Sequence, residues 1–200
     1  AVVAVLAEDG VGCLPLAGEA DIIELRLDLI ASCDPMDALM ALRRATSKPI
    51  IATVRLQSEG GGFLGSEAER EDLLIKASLY ADYVDVELLA KRCSEIISAI
   101  RKPVIVSYHD FEGMPGEGEL ADIYERMKRS GATIAKIALT PQDRRDNLRI
   151  LRFLLDADMP LCLIGMGEQS RHLRVLSPLY GSALTYAYVA KSTAPGQMSL

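Results

Sequence analysis

Ile23-Glu24-Leu25-Arg26-Leu27-Asp28 alternates apolar and charged side chains without a break. Successive side chains of a strand point to opposite faces, so Ile23, Leu25 and Leu27 share one face and Glu24, Arg26 and Asp28 the other. A strand lying under helices needs an apolar outer face. The charged face is therefore turned inward. The same test gives the same answer further along: Arg55 on the third such run, Asp85 and Glu87 against Val84, Val86 and Leu88, His109 on the fifth, and Lys136 between Ala135 and Ile137. Five neighbouring strands thus aim charge at one interior.

Eight short β-rich runs are spaced along the chain: Val2 to Leu6, Ile22 to Asp28, Pro49 to Arg55, Tyr83 to Leu88, Val104 to His109, Ile134 to Leu139, Leu161 to Met166 and Leu184 to Tyr188. Helical stretches separate them. Their start signals are Asp34-Pro35 before Met36 to Ala45, Ser66-Glu67 before Ala68 to Tyr80, and Thr140-Pro141 before Gln142 to Asp156. Alternation of this kind predicts an α/β protein, and eight repeats predict a small (β/α)8 barrel, one catalytic domain over residues 1–200. The sequence stops at Leu200, where a helix after the eighth strand is due: either a tail follows, or that strand lacks its covering helix.

Half of the 200 residues are hydrophobic and a quarter are charged, with a net charge of -6, which argues against nucleic acid or an anionic membrane as partner. No apolar run reaches the length of a membrane span. A cytoplasmic protein is expected. Cys13, Cys33, Cys93 and Cys162 lie far apart without a C-x-x-C pair and read as reduced, mostly buried thiols. Two histidines, His109 and His172, without ligand spacing, give no metal site.

Buried charges cost several kcal/mol each unless paired, so the inward set is either an internal salt network or the lining of a polar site. Most of it lies toward the carboxyl ends of the strands, where barrel enzymes carry their sites. Lys136, flanked by small and apolar residues, is expected to give up its proton through desolvation and the nearness of Arg26 and Arg55, which suits attack on a carbonyl. His109 on the next strand could then move protons beside the resulting iminium, oriented by Glu59. The Gly-rich stretches Glu59 to Gly65 and Glu112 to Gly118 are expected to be mobile rim loops. After the seventh strand, Gly165-Met-Gly-Glu-Gln-Ser-Arg171 offers glycines and a helix start for an anion, with Arg171 as its fork. Thr193-Ala-Pro-Gly-Gln197 could close over the same ligand.

These motifs resemble the type I 3-dehydroquinate dehydratases, the Schiff-base dehydratases of the shikimate pathway. The resemblance rests on Ile23 to Asp28, Thr53-Val-Arg55, Asp85-Val-Glu87, Val106-Ser-Tyr-His-Asp-Phe111, Ala135-Lys-Ile137, Gly165-Met-Gly167 and Ala194-Pro-Gly-Gln197, in that order. It implies dehydration of 3-dehydroquinate to 3-dehydroshikimate, with Lys136 forming the imine, His109 as general base and acid, and Glu59 pairing with His109. It further implies that Glu24, Arg26 and Arg55 hold ring hydroxyls and Arg171 the carboxylate, with Met166 and Tyr186 as walls. Thr193, Ala194 and Gln197 belong to a lid. Neither metal nor organic cofactor is implied, and a homodimer is. Tyr186 and Thr193 stand where phenylalanine and serine are frequent, and the segment from Met166 to Arg171 is shorter than is common.

Two other readings of the charges stay open. A class I aldolase shares barrel and Schiff-base lysine but breaks a carbon-carbon bond, and a non-catalytic barrel could use the same charges to bind a small anion. Gly60 to Gly65 also satisfies G-x-G-x-x-G, but it stands four residues beyond Arg55, too far from the strand for a dinucleotide turn.

Overall fold

The computed structural model describes residues 1–8 and 10–200. The first half runs β1 (Val2–Leu6), β2 (Ile22–Arg26), α1 (Pro35–Ala45), β3 (Ile50–Thr53), α2 (Glu67–Ala77), β4 (Tyr83–Glu87) and α3 (Cys93–Ala99). The second runs β5 (Val104–His109), α4 (Glu117–Arg129), β6 (Ile134–Leu139), α5 (Arg144–Leu155), β7 (Leu161–Gly165), α6 (Leu173–Leu176), β8 (Thr185–Tyr188) and β9 (Met198–Ser199). All eight expected strands are present, and β1, β5 and β6 have the expected limits.

The strands form one parallel sheet in the order β7-β6-β5-β4-β3-β2-β1-β8-β9. Pairing outward from β1 in both directions curls the sheet around an interior, a barrel-like arrangement. Among the described residues no ladder joins β7 to β8. The backbone there is bridged by the Ala183 N–H donating to the Leu161 carbonyl at 2.8 Å and by the Cys162 thiol donating to the Leu184 carbonyl at 3.2 Å.

Two apolar layers follow from the period-two pattern. Ile23, Leu25, Ala52, Val84, Val86, Val106, Ala135 and Ile137 pack outward beneath the helices with Leu39, Leu42, Leu74 and Ile150. Val3, Val5, Ile51, Ile105, Cys162 and Leu184 fill the interior. The helices are fixed locally as well. Asp34 accepts the Met36 N–H ahead of Pro35, and Ser66 and Glu69 form a reciprocal capping box on α2.

The structure corrects the expected boundaries where a side chain is used elsewhere. β2 ends at Arg26 instead of Asp28, because the chain turns through a 3₁₀ segment Leu27–Leu29 and the Asp28 carboxylate bends back to accept from Arg26 and from the Gly62 N–H. α2 ends at Ala77, leaving Leu79 exposed. α5 starts at Arg144, where the Asp143 side chain accepts the N–H groups of Arg145 and Asp146, while the Thr140 hydroxyl is turned to the Asp110 carbonyl. The helix expected from Ser170 is a 3₁₀ turn Glu168–Ser170 followed by the four-residue α6. Of the cysteines, Cys93 and Cys162 are buried but Cys33 is exposed. Among the described residues no helix is long and apolar enough to cross a membrane.

Candidate active site

Lys136 sits mid-strand on β6, opposite Ser107 of β5, and its register places His109 two residues nearer the carboxyl end on the neighbouring strand. A lysine side chain can climb that rise, about 7 Å at a strand's 3.3 Å per residue. The Lys136 Nζ donates to Asp85 Oδ2 at 2.9 Å, lies 3.6 Å from Glu24 Oε1 and sits 4.2 Å above the centre of the Tyr186 ring. Its nearest charged partners are therefore carboxylates. The arginines expected beside it are spoken for: Arg26 forks onto Asp28 through Nε and Nη2, and Arg55 forks onto Asp85 at 2.9 Å through both Nη1 and Nη2.

Asp85 is the hub of this cluster. It also accepts from Ser107, which itself accepts from Arg55. Burial works to raise its carboxyl, but Arg55 and then Lys136 hold it well below the ordinary carboxylate range. Asp85 therefore stays an anion.

His109 and Glu59 form the second cluster. The His109 Nδ1 lies 2.7 Å from Glu59 Oε2, which also accepts the His109 backbone N–H at 3.0 Å. Burial, reinforced by the positive charges of Arg55 and Lys136, pushes the imidazole well below its ordinary pKa, so it is neutral at pH 7. With Nδ1 engaged, Nε2 is the nitrogen left to act on a ligand. Burial likewise raises the Glu59 carboxyl to about 8, against the pull of Arg55 and with the push of Glu87 and Asp85.

The two shifts act on stability with opposite signs. The folded protein keeps a proton on Glu59 that the unfolded chain releases above its ordinary value of 4.5, so this stabilisation is complete below that pH and lost as pH rises through about 8. The His109 contribution is complete above 6.5 and is lost as pH falls through its lower folded value. Between pH 6.5 and 8 only the Glu59 effect changes. The unfolding free energy is expected to fall there by up to about 2 kcal/mol, and Glu59→Gln to flatten the decline. Urea midpoints at the two pH values read this directly; an equal decline in the variant would assign it to another group.

The loop carrying Glu59 is anchored, whatever mobility its glycines allow. A Cβ on Gly61 would stand 1.8 Å from the Arg55 carbonyl oxygen, and the Gly62 N–H is used on Asp28. These contacts leave no phosphate cradle in Gly60 to Gly65. Gly165 is likewise a packing glycine, since a Cβ there would meet Ser170 and Leu173 at under 3 Å.

Lys136, His109, Glu59, Glu24, Arg26, Arg55, Met166, Tyr186, Thr193, Ala194 and Gln197 all line one cavity that opens to solvent. Over it, Thr193 donates through N–H and hydroxyl to Gln197 Oε1, and the Gly167 N–H donates to the Pro195 carbonyl. Arg171 is the exception. It points away, half-exposed and 3.7 Å from Glu168, because α6 begins only at Leu173 and Arg171 precedes it on the outer rim. Arg174 lines the cavity instead. It is 7% exposed and, among the described residues, donates only to the carbonyls of Tyr186 and Pro195, at 3.4 and 3.2 Å, while its Nε has no partner there. Burial without a carboxylate lowers this guanidinium to about 10. The sequence carries one signal for it: an arginine held between Leu173 and Val175. Phe111, also missed, lies with its ring 6.4 Å from that of His109 and completes the rim.

An amine, a neutral imidazole and a lone cation gathered at the carboxyl ends of a curled parallel sheet place the molecule among the barrel-like α/β enzymes. The family model for type I 3-dehydroquinase matches residues 8–200. The chain belongs to that family and is a hydro-lyase. It is 51% identical over 181 residues to the 3-dehydroquinate dehydratase of Methanothrix thermoacetophila, covering 90% of this chain and 78% of that one. It is 42% identical over 218 residues to the one of Methanosarcina barkeri, covering 100% and 90%. The crystal structure of the 3-dehydroquinate dehydratase from Geobacillus kaustophilus superposes with a TM-score of 0.89 at 27% identity, over 99% of this chain and 86% of that one. The type I enzyme from Clostridium difficile, solved with covalently modified comenic acid, gives 0.90 at 28% identity, over 99% and 87%.

Proposed function

We propose that this chain dehydrates 3-dehydroquinate to 3-dehydroshikimate through an imine on Lys136, with His109 moving the protons. The observation that carries the reading is the convergence of Lys136, His109 and the unpaired Arg174 on one small-ligand cavity. The Lys136 ammonium passes one proton to the ketone oxygen, the freed Nζ attacks the carbonyl carbon, and with a second proton from nitrogen that oxygen departs as water to leave an iminium. His109 takes a proton from the adjacent carbon, the electron pair passes to nitrogen, and the resulting enamine expels the β-hydroxyl, to which His109 returns the proton. Hydrolysis of the product imine frees the lysine. Asp85, held as an anion, does not take up these protons; it balances the charge of Lys136 and of the iminium in turn.

Arg174, in place of Arg171, holds the substrate carboxylate, since a buried guanidinium without an anion gains most from receiving one. Arg26 keeps Nη1 for a ring hydroxyl, beside Glu24 and Arg55. Met166 and Tyr186 wall the ring, and Thr193, Ala194 and Gln197 cover it. The same reading takes β1 to β8 as a closed (β/α)8 barrel, supported by the Ala183–Leu161 bridge, and residues 1–200 as one domain acting as a cytoplasmic homodimer without metal or organic cofactor.

Incubation with 3-dehydroquinate is expected to give the absorbance of a conjugated enone, and borohydride added with substrate to increase the mass of a peptide containing Lys136. An aldolase would give the second without the first. Folded protein that gives neither would sink the proposal.

A further inference from the structure

Arg70 belongs to α2, outside the sheet, yet it is 2% exposed. Its Nη1 donates at 2.8 Å both to Glu87 Oε2 and to the Val54 carbonyl, while Nε and Nη2 fork onto Glu67 of its own helix. The other oxygen of Glu87 accepts at 3.0 Å from Arg55 Nη1 and from the Leu56 N–H. The Leu56 carbonyl in turn accepts the N–H groups of Glu59 and Gly61, each at 2.9 Å. One guanidinium thus grips Val54-Arg55-Leu56 directly through a carbonyl and indirectly through Glu87. That segment ends β3 and launches the loop whose Glu59 holds His109.

Surface helices rarely send an arginine inward in this way, since the cation needs a full set of acceptors to offset desolvation. Here the two acceptors of Nη1 lead toward the loop of the acid–base pair: Val54 precedes Arg55, and Glu87 bonds to both Arg55 and Leu56, whose carbonyl holds Glu59. A purely structural pair would serve as well on any edge of the sheet.

We propose that Arg70 is a positioning residue for the chemistry inside the sheet, acting through Glu87 and Leu56 on the Glu59–His109 pair. The inference rests on the function proposed above. It divides the reaction in two. Lys136 is held by Asp85 and Glu24; Arg70 reaches Asp85 only through Glu87 and Arg55, and the two-bond fork of Arg55 together with Ser107 keeps Asp85 in place without Arg70, so imine formation does not depend on it. Proton transfer by His109 does.

The test compares the parent with Arg70→Met and Arg70→Lys under conditions where each is folded by near-ultraviolet circular dichroism. Arg70→Met is expected to lower kcat about 10- to 100-fold, the loss typical of a slightly misplaced catalytic group. KM should change less than threefold, and borohydride should still label Lys136 to the parent's extent. Arg70→Lys, which retains a cation for Glu87, should recover at least half of that loss on a logarithmic scale. Should Arg70→Met fail to fold because Glu87 is left uncompensated, Arg70→Met with Glu87→Gln removes the stranded charge and should show the same slow turnover with full labelling. Turnover within twofold of the parent in either folded protein overturns the inference. So does labelling that falls in step with kcat, which would put the effect on Lys136 or on the whole fold. A parent that is itself never labelled overturns the functional reading and takes this inference with it.

Discussion

Replacing Lys136 by methionine is expected to lower turnover of 3-dehydroquinate by at least about 10⁴-fold, the scale on which covalent catalysts fail when the nucleophile is removed. The loss should fall on kcat, since the cavity walls and Arg174 remain. Labelling by borohydride should vanish with it. Stability should fall as well, because Lys136 lies 2.9 Å from Asp85 Oδ2 and 3.6 Å from Glu24 Oε1 in a buried cluster. Breaking a buried pair costs about 3 to 5 kcal/mol, and the lower end applies because Asp85 keeps the fork from Arg55. Steady-state kinetics, mass spectrometry and urea unfolding of one preparation check all three. Turnover within tenfold of the parent would remove the imine from the mechanism.

Arg174→Met carries the second large effect, and its two parts have opposite signs. Substrate binding should weaken until kcat/KM is about 10²- to 10³-fold lower, mostly through KM, because the variant loses a charge-assisted fork to a carboxylate in a dry site. The ligand-free protein should become more stable by about 1 to 2 kcal/mol, because a buried cation with two long bonds to carbonyls and an unpartnered Nε gives way to an apolar side chain. Arg171→Met is the control. Half-exposed and loosely paired, Arg171 should change both quantities by little. If the Arg171 variant lost affinity and the Arg174 variant kept it, the carboxylate would be assigned to the wrong rim of the cavity.

Together with the weak base His109, these effects describe a site whose buried polar groups are not all satisfied by the protein itself. Arg174 lacks an anion, Glu59 Oε1 and the Tyr186 hydroxyl lack partners, and Lys136 is neutralised by carboxylates already present. An anionic substrate completes the first of these and sets its ring against the others. A buried group that the protein leaves without a partner is a source of affinity for a ligand that supplies one.

Much of this was legible beforehand. β5 and β6 read correctly to the residue, because each is a β-rich run whose inward polar side chain breaks an otherwise apolar pattern. His109 and Lys136 were visible for the same reason. The ends of β2 and β3 were not, because Asp28 and Arg55 continue the alternation while hydrogen bonds, unseen in sequence, pull the backbone away. Arg70 left no trace: Glu67-Ala-Glu-Arg-Glu-Asp72 reads as a solvated face, and only the approach of Glu87 from β4 makes its arginine an inner residue.

By itself, then, residue order determined the sheet, its helical cover and the side of each strand that carries charge, because these depend on periods of two and 3.6 residues within short windows. Only the tertiary structure decided how the other charges meet: Lys136 with Asp85 across 51 positions, Arg70 with Glu87, and Arg174 rather than Arg171 at the cavity. Those choices depend on distances of a few ångströms between elements far apart in the chain, and for the two arginines on where a helix of four residues begins.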